Sequence, residues 1–261
     1  MNTNAVVPFV FGGTKKMDQW NTHYAELANS HPDISNKKET AVVEPNVSVY
    51  TGISEIDNTL GGIHTGKMTA FIGKSNLLSL LLHRVCVNTV DMFHSPSIVL
   101  DAGNQVNPFL LARLARLQLL SDKDVLQNVY LSRAYTIYQL TDLIHAHVEQ
   151  LIQQKGPVTI ILTGLYSLLI DADLSEDETN QLFSMMMNEL KQMIKRYQVA
   201  MVIIDSYCTH VASVDAFVDT LVQVQDMRHC PRLTITQKNQ QVTVTSETVG
   251  QLCLQDFGMV I

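Results

Sequence analysis

The chain contains no block of lysine or arginine longer than two residues, and its 18 basic side chains are outnumbered by 25 acidic ones, for a net charge of −7. Broad electrostatic capture of nucleic acid or of an anionic membrane needs clustered positive charge, so this balance argues against both. The four cysteines, Cys86, Cys208, Cys230 and Cys253, form no C-x-x-C pair. That excludes a recognisable zinc site or disulfide framework and points to a reducing compartment. No apolar stretch approaches the length that spans a bilayer, and the run from Ala5 to Phe11 lacks the positive flank of a secretory signal. No serine or cysteine nucleophile arrangement is visible either.

What is present is an ordinary globular composition, 46% apolar and 16% charged over 261 residues, enough for a sizeable core. Residues 1–47 are irregular, with "NSHPDISNKKET" as linker chemistry and a short helix expected at 20–28. This part reads as an arm, and 48–261 as the folded part. From there strands and helices alternate: strand 68–72, helix 75–90, strand 97–101, helix 107–119, strand 128–131, helix 137–154, strand 157–163, helix 176–197 and strand 199–204. Such alternation predicts an α/β fold with a mostly parallel sheet covered on both faces. Beyond residue 220 several strands follow, and "RLTITQKNQQVTVTSE" alternates with period two around a polar turn, as a hairpin does.

One stretch carries candidate chemistry. "AFIGKSNLLSLLLHRV" places Gly73, Lys74 and Ser75 between an apolar strand and a Leu-rich helix. A working phosphate loop is G-x-x-x-x-G-K-[ST], whose glycines turn backbone N–H groups onto phosphates while Lys adds charge and the hydroxyl holds magnesium. Here the residues that would form the cradle lie inside the strand. The alternative reading is structural: Gly73 makes a tight turn and Ser75 caps the helix. A second match, "GGIHTGK" at 61–67, ends in Met68 instead of a hydroxyl and precedes the strand, so it is a decoy.

Three further stretches carry a family resemblance. "YTGISEIDNTLGGIHTGKMTAFIG" resembles the lead-in to the ATPase core of the RecA/RadA recombinase superfamily. "VLQNVYLSRAYTIYQLTDLI" is similar to its segment in which a strand ends in Arg-Ala-Tyr, here Arg133, Ala134 and Tyr135. "ETVGQLCLQDFGMVI" is similar to its closing strands, with Asp256, Phe257 and Gly258 at the polar turn. The resemblance runs from about residue 48 to 261 and implies a RecA-like P-loop core with C-terminal antiparallel strands.

The departures from that pattern are as telling. The family places a water-activating glutamate two residues after the aspartate that ends the second core strand; "VLDAGN" keeps Asp101 but has Gly103 there. The third strand is expected to end in the magnesium-ordering aspartate, and "TIILTGLYS" offers Thr163 and Gly164. The fourth is expected to end in Thr-Asn-Gln, and "AMVIIDSY" offers Ile204, Asp205 and Ser206. With the shortened loop these make four losses of the parts that position and stabilise phosphoryl transfer. The first DNA loop reads "DADLSEDETNQ", acidic where the family is basic, and is better explained as favouring the N-terminus of the long helix. The second, 205–227, contains no Lys or Arg.

The resemblance therefore implies a degenerate eukaryotic recombinase paralogue, comparable to those of the nematode accessory type. Its Gly73, Lys74 and Ser75 are then a vestigial nucleotide triplet, with no catalytic residue, no metal and no cofactor, ATP and magnesium binding only if the short loop still holds them. The implied partners are another paralogue in a heterodimer and the recombinase filament, with DNA contacted indirectly, no membrane, and a nuclear location. The family assembles through a Phe-x-x-Ala element; residues 1–50 hold no clean copy, "FVFGG" at 9–13 being nearest. A weak RadA-like or KaiC-like ATPase and a nucleotide-free DNA-binding module are the competing expectations. His145 and His147, two apart on a helix, make a poor metal pair and are expected at the surface. Arg113 and Arg116 are expected on a solvated face opposite Leu110, Leu114 and Leu117.

Overall fold

The computed structural model describes residues 47–206, 214–226, 231–237 and 240–245. The expected arm, its "FVFGG" run and the closing "ETVGQLCLQDFGMVI" lie outside them, apart from Val47.

The fold begins with a small ribbon, β1 (Ser48–Val49) paired antiparallel to β2 (Ile63–His64), with the short helix α1 (Ser54–Leu60) between them. The Asp57 carboxylate accepts the Thr51 and Gly52 backbone N–H groups at 2.8 and 2.9 Å and the Thr51 hydroxyl at 2.9 Å. These bonds account for the "YTGISEID" spacing. Arg84 and Asn88, both on the next long helix, reach the Gly52 and Tyr50 carbonyls. Burial pushes the Asp57 carboxyl up, against the lowering effect of those bonds.

The main sheet has eight strands in the order β10-β9-β8-β3-β7-β6-β4-β5. They are β3 (Met68–Lys74), β4 (Ser97–Asp101), β5 (Val129–Arg133), β6 (Thr159–Thr163), β7 (Ala200–Asp205), β8 (Thr220–Asp226), β9 (Pro231–Gln237) and β10 (Gln240–Thr245). From β8 to β5 every pairing is parallel, while β8–β9 and β9–β10 are antiparallel. Strands buried on both sides read as continuous apolar runs such as "AMVII", because helices cover both faces. This is the predicted α/β class, with the predicted hairpin.

One face packs against α2 (Asn76–Phe93), α3 (Pro108–Leu117) and α4 (Asp122–Gln127). The other packs against α5 (Ile137–Asp142), a π-helical turn (Leu143–Val148), α6 (Glu149–Lys155), α7 (Leu165–Ile170) and α8 (Glu176–Tyr197). On α8 the residues Leu182, Phe183, Met186, Met187, Leu190, Met193 and Ile194 are buried, so its methionines are core filler.

One surface expectation is corrected. Leu117 does not join Leu114 in the core; it is 52% exposed at the end of the helix, and the buried face is made by Leu111, Leu114 and Ala115. His147 is exposed and His145 partly exposed, as expected, but His145 in the π-helical turn has its Nδ1 3.0 Å from Glu189 on α8. No described helix is long and apolar enough to cross a membrane.

Candidate functional site

The C-terminal edge of a parallel sheet is where α/β folds bind ligands, and the register brings the sequence candidates to that edge. Asp101 stands opposite Thr163, Thr163 opposite Ile204, and Ile72 opposite Asp205. The site therefore comprises the β3–α2 junction and the ends of β4, β6 and β7.

At the junction the strand runs through the triplet. Gly73 pairs with Val224 and Lys74 with Gln225 of β8, so both backbones are part of the ladder. A Cβ on Gly73 would lie 2.0 Å from the Val224 carbonyl oxygen and 2.9 Å from its carbon. Glycine is required there by the close approach of β8, and the expectation of a tight turn at Gly73 is corrected: the residue is in a strand. Lys74 is exposed at the strand end. Ser75 is extended (φ −150, ψ 140), and its hydroxyl accepts the Leu77 N–H at 3.1 Å, capping α2 as expected. One extended residue separates strand from helix. A phosphate cradle needs several consecutive N–H groups turned toward one point, and the residues present do not fit a magnesium-bound triphosphate.

At the ends of β4 and β6 two glycines meet. Gly164 has φ +76, and a Cβ on it would lie 2.2 Å from the Gly103 nitrogen and 2.3 Å from its Cα. Ala102 N–H donates to the Thr163 carbonyl at 2.8 Å. Backbone therefore presses on backbone where the family pattern has acidic side chains. Thr163 is buried and its Oγ1 has no hydrogen-bond partner, a cost usually of about 1–3 kcal/mol.

Asp101 is committed to its own loop. Its carboxylate accepts the Gln105 and Val106 N–H groups at 2.8 and 3.2 Å and lies 3.4 Å from Arg133 Nε, an ion pair without hydrogen-bond geometry. Arg133 Nη2 donates to the Val106 carbonyl at 3.3 Å. Two of the motif residues thus fasten loop 102–106 to β5, and Ala134 beside them is buried.

Asp205 faces the start of α7. It accepts the Tyr166 N–H at 2.9 Å and the Ser206 N–H at 2.7 Å. Burial pushes its carboxyl up to about 6, against the lowering effect of those bonds. Tyr166 was not singled out by sequence reasoning, yet it ties this corner together: its hydroxyl accepts the Val214 N–H at 3.1 Å and its ring stacks on Phe183 at 5.9 Å. Nothing in "TGLYS" signals that role, since it depends on where β7 and α8 lie.

The acidic stretch behaves as its local chemistry dictates. Ser175 and Glu178 form a reciprocal capping box, and the Ser175 hydroxyl and N–H hold the Glu178 carboxyl below its usual range. In the second loop region, 207–213 and 227 are outside the described residues. Among the described residues no three His, Cys, Asp or Glu side chains are grouped to hold a metal ion.

Over residues 43–225 the chain matches the family model described as Rad51. Comparison with curated proteins gave no match.

Proposed function

The chain belongs to the Rad51 family, and on that premise we propose that it is a non-catalytic recombinase paralogue, a protein-binding subunit that assists homologous recombination and double-strand break repair in the nucleus. The observation that carries this reading is the β3–α2 junction, where β8 lies against Gly73 and the single extended residue Ser75 joins strand to helix. The glycine contact between β4 and β6 supports it independently. A frame that keeps the fold while filling its catalytic edge with backbone contacts retains its outer surfaces for assembly. Its partners are then another paralogue and the end of a recombinase filament, with DNA reached through them.

The test is made on the full chain. Tagged and expressed in cells, it is expected to co-purify in a stoichiometric complex with a recombinase-family subunit, and calorimetry with ATP and magnesium is expected to show no binding. A protein that stays monomeric and captures no such subunit overturns the accessory role. Micromolar ATP binding that Lys74→Ala abolishes overturns the non-catalytic one in favour of a weak RadA-like or KaiC-like ATPase. Steeply salt-dependent DNA binding by the isolated chain supports the DNA-binding alternative.

A further inference from the structure

His83 lies on α2, fully buried, between that helix and the loop leading from β4 into α3. Its Nδ1 is 2.6 Å from the Ser79 carbonyl oxygen and its Nε2 is 2.8 Å from the Asn107 backbone nitrogen. A carbonyl can only accept and a backbone N–H can only donate. The ring is therefore the neutral tautomer with its proton on Nδ1, and both nitrogens are in use. A second proton would place an N–H of His83 against the N–H of Asn107.

We propose that His83 is a proton-sensitive latch: its neutral ring holds loop 102–107 and the start of α3 against α2, and protonation releases them. Asn107 is the point of leverage because it is also the N-cap of α3, its Oδ1 accepting the Phe109 and Leu110 N–H groups at 3.0 and 3.4 Å. Losing the anchor at its nitrogen disturbs the cap and the helix behind it. The charged groups that face the ring are Asp101 from β4 and, through that carboxylate, Arg133 from β5. On its own helix Arg84 is turned to the Gly52 carbonyl, and α3 meets the ring through the Asn107 backbone. Burial lowers the pKa of the ring, against the raising effects of the Ser79 carbonyl and Asp101. The latch is thus closed at neutral pH and under load as acid is added.

The experiment follows the full chain by nitrogen NMR of the His83 ring and by hydrogen exchange across 102–111, from pH 7.5 down to pH 5. The Nδ1–H tautomer is expected at the top of this range. Exchange, corrected for its intrinsic pH dependence, is expected to accelerate by up to about tenfold per pH unit as pH falls below 6.5 toward the lowered pKa of the ring, and to level off once the ring itself titrates. In His83→Gln, whose amide can donate and accept without titrating, the same segment is expected to lose that acceleration. An Nε2–H tautomer or an imidazolium at neutral pH overturns the proposal. So does exchange that is indifferent to the ring's titration in the unmodified chain, which decides the matter even if the variant does not fold.

Discussion

The starts of α2 and α8 make an instructive pair. Both follow serine N-caps, Ser75 and Ser175, whose hydroxyls accept an N–H of the first turn. Both stand where the family resemblance expects a ligand loop, for phosphate in one case and for DNA in the other. At α8 the start is built from neighbours in the chain: Ser175 and Glu178 bond each other, and Glu176 and Asp177 complement the helix dipole. At α2 there is no acid in the first turn, and the decisive contact comes from a strand about 150 residues away, where Val224 lies against Gly73. Equal caps can therefore hide unequal constraints, one local and one tertiary.

The largest expected effect breaks the α2 side alone. Gly73→Ala forces a Cβ to within 2.0 Å of the Val224 oxygen, a backbone atom that no rotamer change can move. The variant is expected to lose more than about 4 kcal/mol in urea unfolding, or not to fold. A loss comparable to an ordinary strand substitution would mean that β8 yields easily and that the junction has room.

The next effect concerns the corner between β7 and α7, which is tertiary like the α2 junction. Because burial raises the Asp205 carboxyl from 3.8 to about 6, its contribution to stability is full below the unfolded value and is lost as pH rises through about 6. Two pKa units correspond to about 3 kcal/mol between pH 4 and 7. Asp205→Asn is expected to flatten this component of the stability profile, as read from denaturant midpoints across that range. His83 contributes with the opposite slope, since its lowered pKa costs stability as pH falls below 6.5; the profile of His83→Gln separates the two.

The smallest effect sharpens the comparison. Ser75→Ala and Ser175→Ala each remove one cap and are each expected to cost about 1 kcal/mol by thermal or urea unfolding. Near-equal losses would show that the local term is the same at both helices and that glycine packing sets α2 apart. At α8 the effect is expected to fade in acid, because the lowered Glu178 carboxyl keeps its stabilising bonds only above its folded pKa. A cap effect at Ser175 that is unchanged through that titration would remove Glu178 from the account.

Much of this protein is written locally. Strand 97–101 and helix 176–197 coincide with the sequence reading, because a short apolar run between turn signals and a capped apolar stripe each announce themselves within a few residues. The ribbon at 48–64 and the helices 54–60, 122–127 and 165–170 are too short to show a period, and they were not anticipated. At the candidate site, the residue types of Gly73, Gly103, Thr163 and Asp205 were legible, and so was their departure from the family pattern. Their contacts were not.

The sequence by itself determined the α/β class, the order of its longer elements, a serine placed to cap α2 and the absence of the expected acidic side chains at the strand ends. These follow from propensity, periodicity and residue identity, which act over a turn or a strand. Only the tertiary structure decided that Gly73 belongs to a strand under Val224, that Gly103 and Gly164 touch, that Asp205 meets Tyr166, and that His83 is neutral. Each of those depends on atoms brought together from distant parts of the chain, where a clash at 2.0 Å or a hydrogen bond at 2.8 Å has no signature in the local sequence.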